Sequence, residues 1–186
     1  MSSSLGAKIR CGIWFDWKDE TDEGVLVFQD RGEVALLGAA VQLDDGNMDG
    51  QANQVWHTRP GGRRLAAGAS ETFDLTAMTF QMLGVTATLP AFVEIRAICI
   101  VLLSSGQGDY LQVGGAASNE FVGPFVAAGD KIKVHAGSPF LVGNIFDGWT
   151  VSGSAKNLKI TNSSAVDVSY EMCILGTTGS STSSSS

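Results

Sequence analysis

Charge is scarce in this chain. Asp, Glu, Lys and Arg make up 17% of its 186 residues, against about 25% in an average soluble domain. So few charges leave little with which to coat a monomer's surface, and part of it is expected to be covered by another subunit or a partner. Basic residues are the scarcer sign, with 12 Lys and Arg against 19 Asp and Glu and a net charge of −7. A chain of this sign gains nothing from releasing counterions on a nucleic acid. Its densest basic group, Arg59, Arg63 and Arg64, falls in a Gly-rich stretch that reads as a solvated, flexible connection running to Gly68. No nucleic-acid partner is expected.

Histidine is rarer still: only His57 and His135 are present. A Ser or Cys nucleophile needs a neighbouring base and an orienting acid, and no Gly-x-Ser-x-Gly elbow exists to present one. His135 falls on the polar side of an alternating segment, and His57 stands beside the Gly-rich stretch. Both read as ordinary surface residues. Asp16, Asp19, Glu20, Asp22 and Glu23 are crowded into one turn, which suits a solvated acidic face better than a carboxylate pair across a cleft. The sequence offers no catalytic constellation, so it is not expected to be an enzyme.

The three cysteines, Cys11, Cys99 and Cys173, are odd in number and far apart. That excludes a disulfide framework and a Cys/His zinc site and points to reduced core thiols made in a cytoplasm. The longest apolar run, residues 97–103, is far too short to cross a bilayer as a helix. The polar first residues contain no apolar signal core. Neither export by a signal peptide nor a membrane partner is expected.

What the chain does have is alternation and glycine. Residues 9–17 alternate apolar and polar with period 2 and read as one strand. Residues 25–28 and 34–43 read as the next two strands, joined by a turn at 30–32, and residues 54–58 as a short one. Residues 92–103 read as a central strand, alternating through Glu94 and Arg96 and then apolar on both faces. Residues 110–113, 131–135, 138–142, 149–152 and 158–160 follow. In the final strand Val166, Val168, Tyr170, Met172 and Ile174 form the inward set. Twenty-three glycines separate these segments at the 8–12-residue spacing of sandwiches and barrels. Only residues 73–83 fit a helix as well as a strand, with Asp74 as its cap. The expected fold is all-β: an antiparallel β-sandwich over residues 1–176, with jelly-roll connectivity as one way to wire it and at most one short helix. Residues 177–186 are expected to form a Ser-rich polar tail.

Two features carry possible chemistry. Asp45-Gly-Asn47-Met-Asp49-Gly50 matches the opening of a calcium loop, in which alternate oxygens converge on one ion and the glycine makes the bend. The twelfth position, where a bidentate Glu belongs, is Trp56, so a plain Asp/Asn/Gly turn competes with calcium as the reading of Asp45, Asn47 and Asp49. No other cofactor is expected. Trp14, Trp17, Trp56 and Trp149 raise the idea of a carbohydrate-binding module, since aromatic faces stack on sugars; core and interface positions are the simpler account.

The stretch from Leu65 to Gly176 resembles small virion proteins of tailed bacteriophages. The resemblance rests on Phe73-Asp-Leu-Thr-Ala-Met-Thr, Phe92-Val-Glu-Ile-Arg-Ala-Ile-Cys-Ile, Leu111-Gln-Val-Gly-Gly and Ile132-Lys-Val-His-Ala-Gly-Ser-Pro-Phe. It continues in Gly148-Trp-Thr-Val, Leu158-Lys-Ile-Thr-Asn and Val168-Ser-Tyr-Glu-Met-Cys-Ile-Leu-Gly. It implies a non-catalytic virion structural protein, made in the host cytoplasm and mounted on the capsid surface as a decoration or cement protein. The expected partners are further copies of itself, as a dimer or trimer, and the phage major capsid protein. A tail or fibre component is the alternative within the virion.

Overall fold

The computed structural model describes residues 4–10, 12–18, 41–58, 62–82, 85–104 and 106–180. The sequence expectations at Cys11, residues 19–23, 25–28, 30–32 and 34–40, Arg59 and 181–186 lie outside these. Among the described residues every regular element is a strand.

The chain opens with β1 (Ser4–Arg10), β2 (Gly12–Lys18) and β3 (Val41–Leu43), which form one antiparallel sheet in the order β2-β1-β3. The single strand expected over residues 9–17 is thus two strands that reverse between Arg10 and Gly12. The register explains why alternation missed the reversal. Ile9 lies opposite Ile13, Ala7 opposite Phe15 and Leu5 opposite Trp17. Each pair shares its parity, so period 2 runs through the turn unbroken.

The body follows as β4 (Gln54–His57), β5 (Arg63–Leu65), β6 (Ser70–Asp74), β7 (Thr79–Met82), β8 (Val85–Thr88) and β9 (Glu94–Leu102). Then come β10 (Tyr110–Gly114), β11 (Lys131–His135), β12 (Phe140–Gly143), β13 (Trp149–Thr150), β14 (Asn157–Asn162) and β15 (Val168–Thr177). One sheet runs β12-β9-β15-β4, with β13 added to β9 and β5 to β15. The other runs β11-β10-β14-β6, and β7 with β8 makes a separate hairpin. Four pairs are nested in sequence: β4 with β15, β6 with β14, β9 with β12, and β10 with β11. Each pair encloses the next, and the pairs alternate between the sheets. That is jelly-roll connectivity.

The two sheets enclose one core. Ile98, Ile100, Leu102, Tyr170, Met172 and Ile174 come from the first sheet, and Phe73, Leu111, Val113, Val134, Leu158 and Ile160 from the second. Each such side chain contributes about 1.5–3 kcal/mol on burial. The first sheet also buries its other face: Ala97, Cys99, Cys173 and Leu175 pack with Leu43 of β3 and Ala52. This double burial accounts for the apolar character of β9 on both sides. Gly176 marks the register shift between β15 and β9. A Cβ there would lie 2.2 Å from the Glu94 carbonyl oxygen, so only glycine fits this approach.

Polar side chains tie the layers together. Glu71 on β6 accepts from the Tyr170 hydroxyl on β15 and from Arg63 Nε on β5 at 2.7 Å. Arg63 also sits 5.3 Å over the Phe73 ring. Burial, and then the Glu71 carboxylate, push the Tyr170 phenol above its ordinary value. Asn162, fully buried at the end of β14, donates through Nδ2 to the carbonyls of Leu65, Ala66 and Val166 and accepts from Ser164 N.

Residues 73–83 fitted helix and strand alike, and the described ones, through Met82, take the strand reading: Asp74 Oδ1 accepts from Thr76 N at 2.9 Å and closes a turn between β6 and β7, the local bonding by which Asp competes with helix. Two local expectations need correction. Val166 does not face inward but is 53% exposed, because the bond from Asn162 holds its backbone in the loop before β15. The stretch from Arg59 to Gly68 is not a plain loop, since Arg63–Leu65 pairs with β15.

Replacing Asn162 by Ala strands several buried backbone groups at once and is expected to cost about 3 kcal/mol in urea unfolding. Asp74 supplies a pH prediction. Burial pushes its carboxyl up, but hydrogen bonds from Lys156 and Thr76 outweigh that and hold it below its usual value. Its stabilisation is then complete above the unfolded carboxylate value, about 4, and is lost as pH falls through the lower folded value. The stability gap between the wild type and Lys156→Met should therefore close in acid, as read by urea unfolding from pH 6 downward.

Candidate functional site: two loops held by a buried arginine

Strand β9 begins with two charged residues through which its sequence alternates, Glu94 and Arg96. Both are buried, Arg96 with no exposed surface at all. Arg96 Nη2 lies 3.0 Å from Glu94 Oε2. A guanidinium so enclosed must find acceptors for its fork of N–H groups, and it finds them on two loops. Nη2 donates to the Met48 carbonyl at 3.2 Å, and Nη1 donates to the Phe146 carbonyl. Among the described residues Nε has no hydrogen-bond partner.

The first loop, residues 44–53, leads from β3 to β4. The second, 144–148, leads from β12 to β13. They also bond to each other directly, Gly50 N donating to the Ile145 carbonyl at 3.0 Å. The second loop returns to β9 through Asn144 N and the Arg96 carbonyl, 2.9 Å, and closes on itself from Gly148 N to the Asn144 carbonyl, 3.0 Å. Gly148, at φ 70°, lies flat on the ion pair; a Cβ there would come within 3.0 Å of Arg96 Nη1. Only glycine takes that conformation freely and leaves room for the guanidinium.

The outward side of the two loops is apolar at its centre. Phe146 is 65% exposed and Met48 40%. Asp44, Asp45, Asp49 and Asp147 are exposed around them, and neither loop contains Lys or Arg. An aromatic and a methionine are thus exposed amid carboxylates, on loops whose backbones Arg96 ties together.

The calcium-like segment is the first of these loops. Its backbone closes through Ala52 N to the Asp44 carbonyl, 2.9 Å, and Gln51 N to the Met48 carbonyl, 3.0 Å. The Gln51 side chain folds back to accept from Met48 N at 2.9 Å. Asp45 and Asp49 are exposed and Asn47 is half-buried. Asn47 Oδ1 is a buried acceptor without a hydrogen-bond partner among the described residues, an oxygen suited to a hard cation. Among the described residues no three His, Cys, Asp or Glu side chains gather to hold a metal.

The remaining candidates are dispersed. His57 is on β4 in one sheet. His135 is on β11 in the other, exposed, with its ring 5.6 Å from that of Tyr110. Trp56 is buried edge-on to Phe73 and donates to the Thr79 carbonyl at 2.8 Å, while Trp149 packs against the core. Trp56 presents no free face to a sugar, while Trp149 is only partly buried. Cys99 and Cys173 are buried and opposite one another on β9 and β15. Burial pushes the Cys173 thiol well above its ordinary value, which suppresses the reactive thiolate. Arg64 pairs with Asp167 at 3.0 Å. Sequence reading singled out the first loop for its carboxylates. It missed Arg96, whose one signal is a cation set among the apolar residues Ile95, Ala97 and Ile98.

No protein-family model, curated protein or solved structure matches the chain.

Replacing Arg96 by Met leaves Glu94 buried beside an apolar side chain, removes the donor to the Phe146 carbonyl and leaves the Met48 carbonyl with Gln51 N alone. The expected loss is about 3–5 kcal/mol. Removing the carboxylate as well, in E94L/R96M, should recover part of it. A double-mutant cycle on urea unfolding reads both, and hydrogen exchange should show Gly50 and Gly148 deprotected in R96M.

Proposed function

We propose that this chain is a non-catalytic structural protein of a phage virion, acting as a decoration or cement protein on the capsid. The observation that carries this reading is the Met48 and Phe146 surface, held rigid by a buried ion pair. Loops ordered in advance lose little conformational freedom on docking, and an exposed aromatic at the centre of a contact is the usual source of its affinity. Jelly rolls recur in viral capsid and lectin domains. That precedent is an analogy of fold, because function resides in the site. The burial of Trp56 weighs against the lectin side of it. The resemblance of residues 65–176 to small virion proteins adds to the assembly side.

A cement protein works by mass action. It binds the assembled lattice and not the free subunits, and so stabilises the lattice by RT ln(1 + [L]/Kd). The protein should therefore co-sediment with undecorated capsids of the phage that encodes it and raise the temperature at which they release DNA. Phe146→Asp should lose both effects while keeping its own unfolding transition. Capsids that pellet without the protein would refute the capsid role, and label found on the tail of intact particles would move it there.

A further inference from the structure

The outer face of the β11-β10-β14-β6 sheet carries the opposite sign to the Met48 and Phe146 loops. Four of the basic side chains the structure describes are tied to carboxylates: Arg63 to Glu71, Arg64 to Asp167, Arg96 to Glu94 and Lys156 to Asp74. Lys131, Lys133 and Lys159 have no carboxylate partner among the described residues. All three fall on this one face. On β11 the buried Val134 points inward and the exposed Lys131 and Lys133 outward. On β14 the buried Leu158 and Ile160 point inward and Lys159 outward.

The register draws these lysines together across β10. Lys133 lies opposite Gln112 and Lys131 opposite Gly114, while Ile160, next to Lys159, lies opposite Val113. Lys133 sits 4.8 Å over the Tyr110 ring. The face is thus cationic around a half-buried aromatic. Two nearby carboxylates, Glu120 and Asp130, reduce this positive charge without closing an ion pair on a lysine, because backbone amides hold them. Glu120 accepts from Gly115 N and Gly129 N, and Asp130 from Ala127 N.

The acidic loops and the lysine face belong to opposite sides of the sandwich. Ile145 of the second loop packs with the cluster on the outer side of the β12-β9-β15-β4 sheet, and the lysines cover the outer side of the other sheet. Within one copy they cannot meet. Between copies they are complementary, with an apolar pair and an aspartate rim on one and a tyrosine ring among lysines on the other. A two-fold contact of the loops with themselves would set aspartate against aspartate, which electrostatics disfavours.

We propose that copies of this chain associate head to tail, the Met48 and Phe146 loops of one seated on the Tyr110 and lysine face of the next. Such a contact is heterologous. It closes into a ring where the rotation per copy permits and otherwise continues as a filament. The proposal adds the self-contact to the assembly role and does not depend on it, since capsid binding tests that role and solution mass tests this contact.

The experiment is light scattering of the full chain across protein concentration and salt, with two charge reversals, Asp49→Lys with Asp147→Lys and Lys131→Glu with Lys133→Glu. The wild type should be an oligomer that salt weakens. Each reversal should raise the dissociation constant by roughly a hundredfold or more, with the thermal transition retained. The two reversed proteins mixed in equal amounts should associate again, because each then offers the other a complementary surface. A wild type that is monomeric at its highest soluble concentration overturns the proposal. So does an oligomer indifferent to both reversals, or a mixture that stays dissociated.

Discussion

The ion pair of Arg96 with Glu94 is the constraint on which the upper part of this molecule depends. Removing a guanidinium from water costs several kcal/mol even when it is paired, and a well-packed apolar residue would fill the space at lower cost. What an apolar residue lacks is a fork of donors in one plane. That fork reaches the Met48 and Phe146 carbonyls from a single point on β9, and so sets the spacing of two loops that are nearly a hundred residues apart in sequence. Gly148 exists as glycine because the fork lies beneath it. The apolar side chains above it are exposed because their backbones are not free to turn them inward.

Beneath the loops lies a sandwich whose elements follow from alternation and glycine. The central strands were legible because their signal is local: Val168, Tyr170, Met172 and Ile174 stand two apart, and all four are buried. The hairpin of β1 and β2 was not, because its turn preserves parity. Asp74 was ambiguous for a related reason. The same side-chain oxygen that caps a helix also closes a tight turn, and only the fate of the following residues, pairing here with β8, tells the two apart.

The site was legible in its place but not in its principle. Asp45, Asn47 and Asp49 drew attention to the first loop through their resemblance to an ion-binding turn. The features that set this loop apart in the fold are a carbonyl gripped by Arg96 and a methionine left outside. Both come from its meeting with residues 144–148, which no local pattern encodes. Arg96 entered the sequence reading only as one of the polar residues through which its strand alternates. Alternation reports which side of a strand a residue takes; it cannot report whether that side is roofed. Here the roof consists of the two loops.

The nesting of the strand pairs has a consequence for how the molecule comes into being. β4 is the earliest strand of the sandwich, and its neighbour is β15, the last. Asn53 and Thr178 lock the same two ends, Asn53 Nδ2 donating to Thr178 Oγ1 and Thr178 N to Asn53 Oδ1, each at 3.0 Å. The innermost pair, β10 with β11, is the most local, and each enclosing pair must close a longer loop before its contacts repay the entropy. On the ribosome, β4 therefore waits with its apolar face unsatisfied until the residues up to Val168 have been made. The first sheet is completed only when its final strand has emerged, which makes the nascent chain, rather than the finished fold, the state most in need of protection from aggregation.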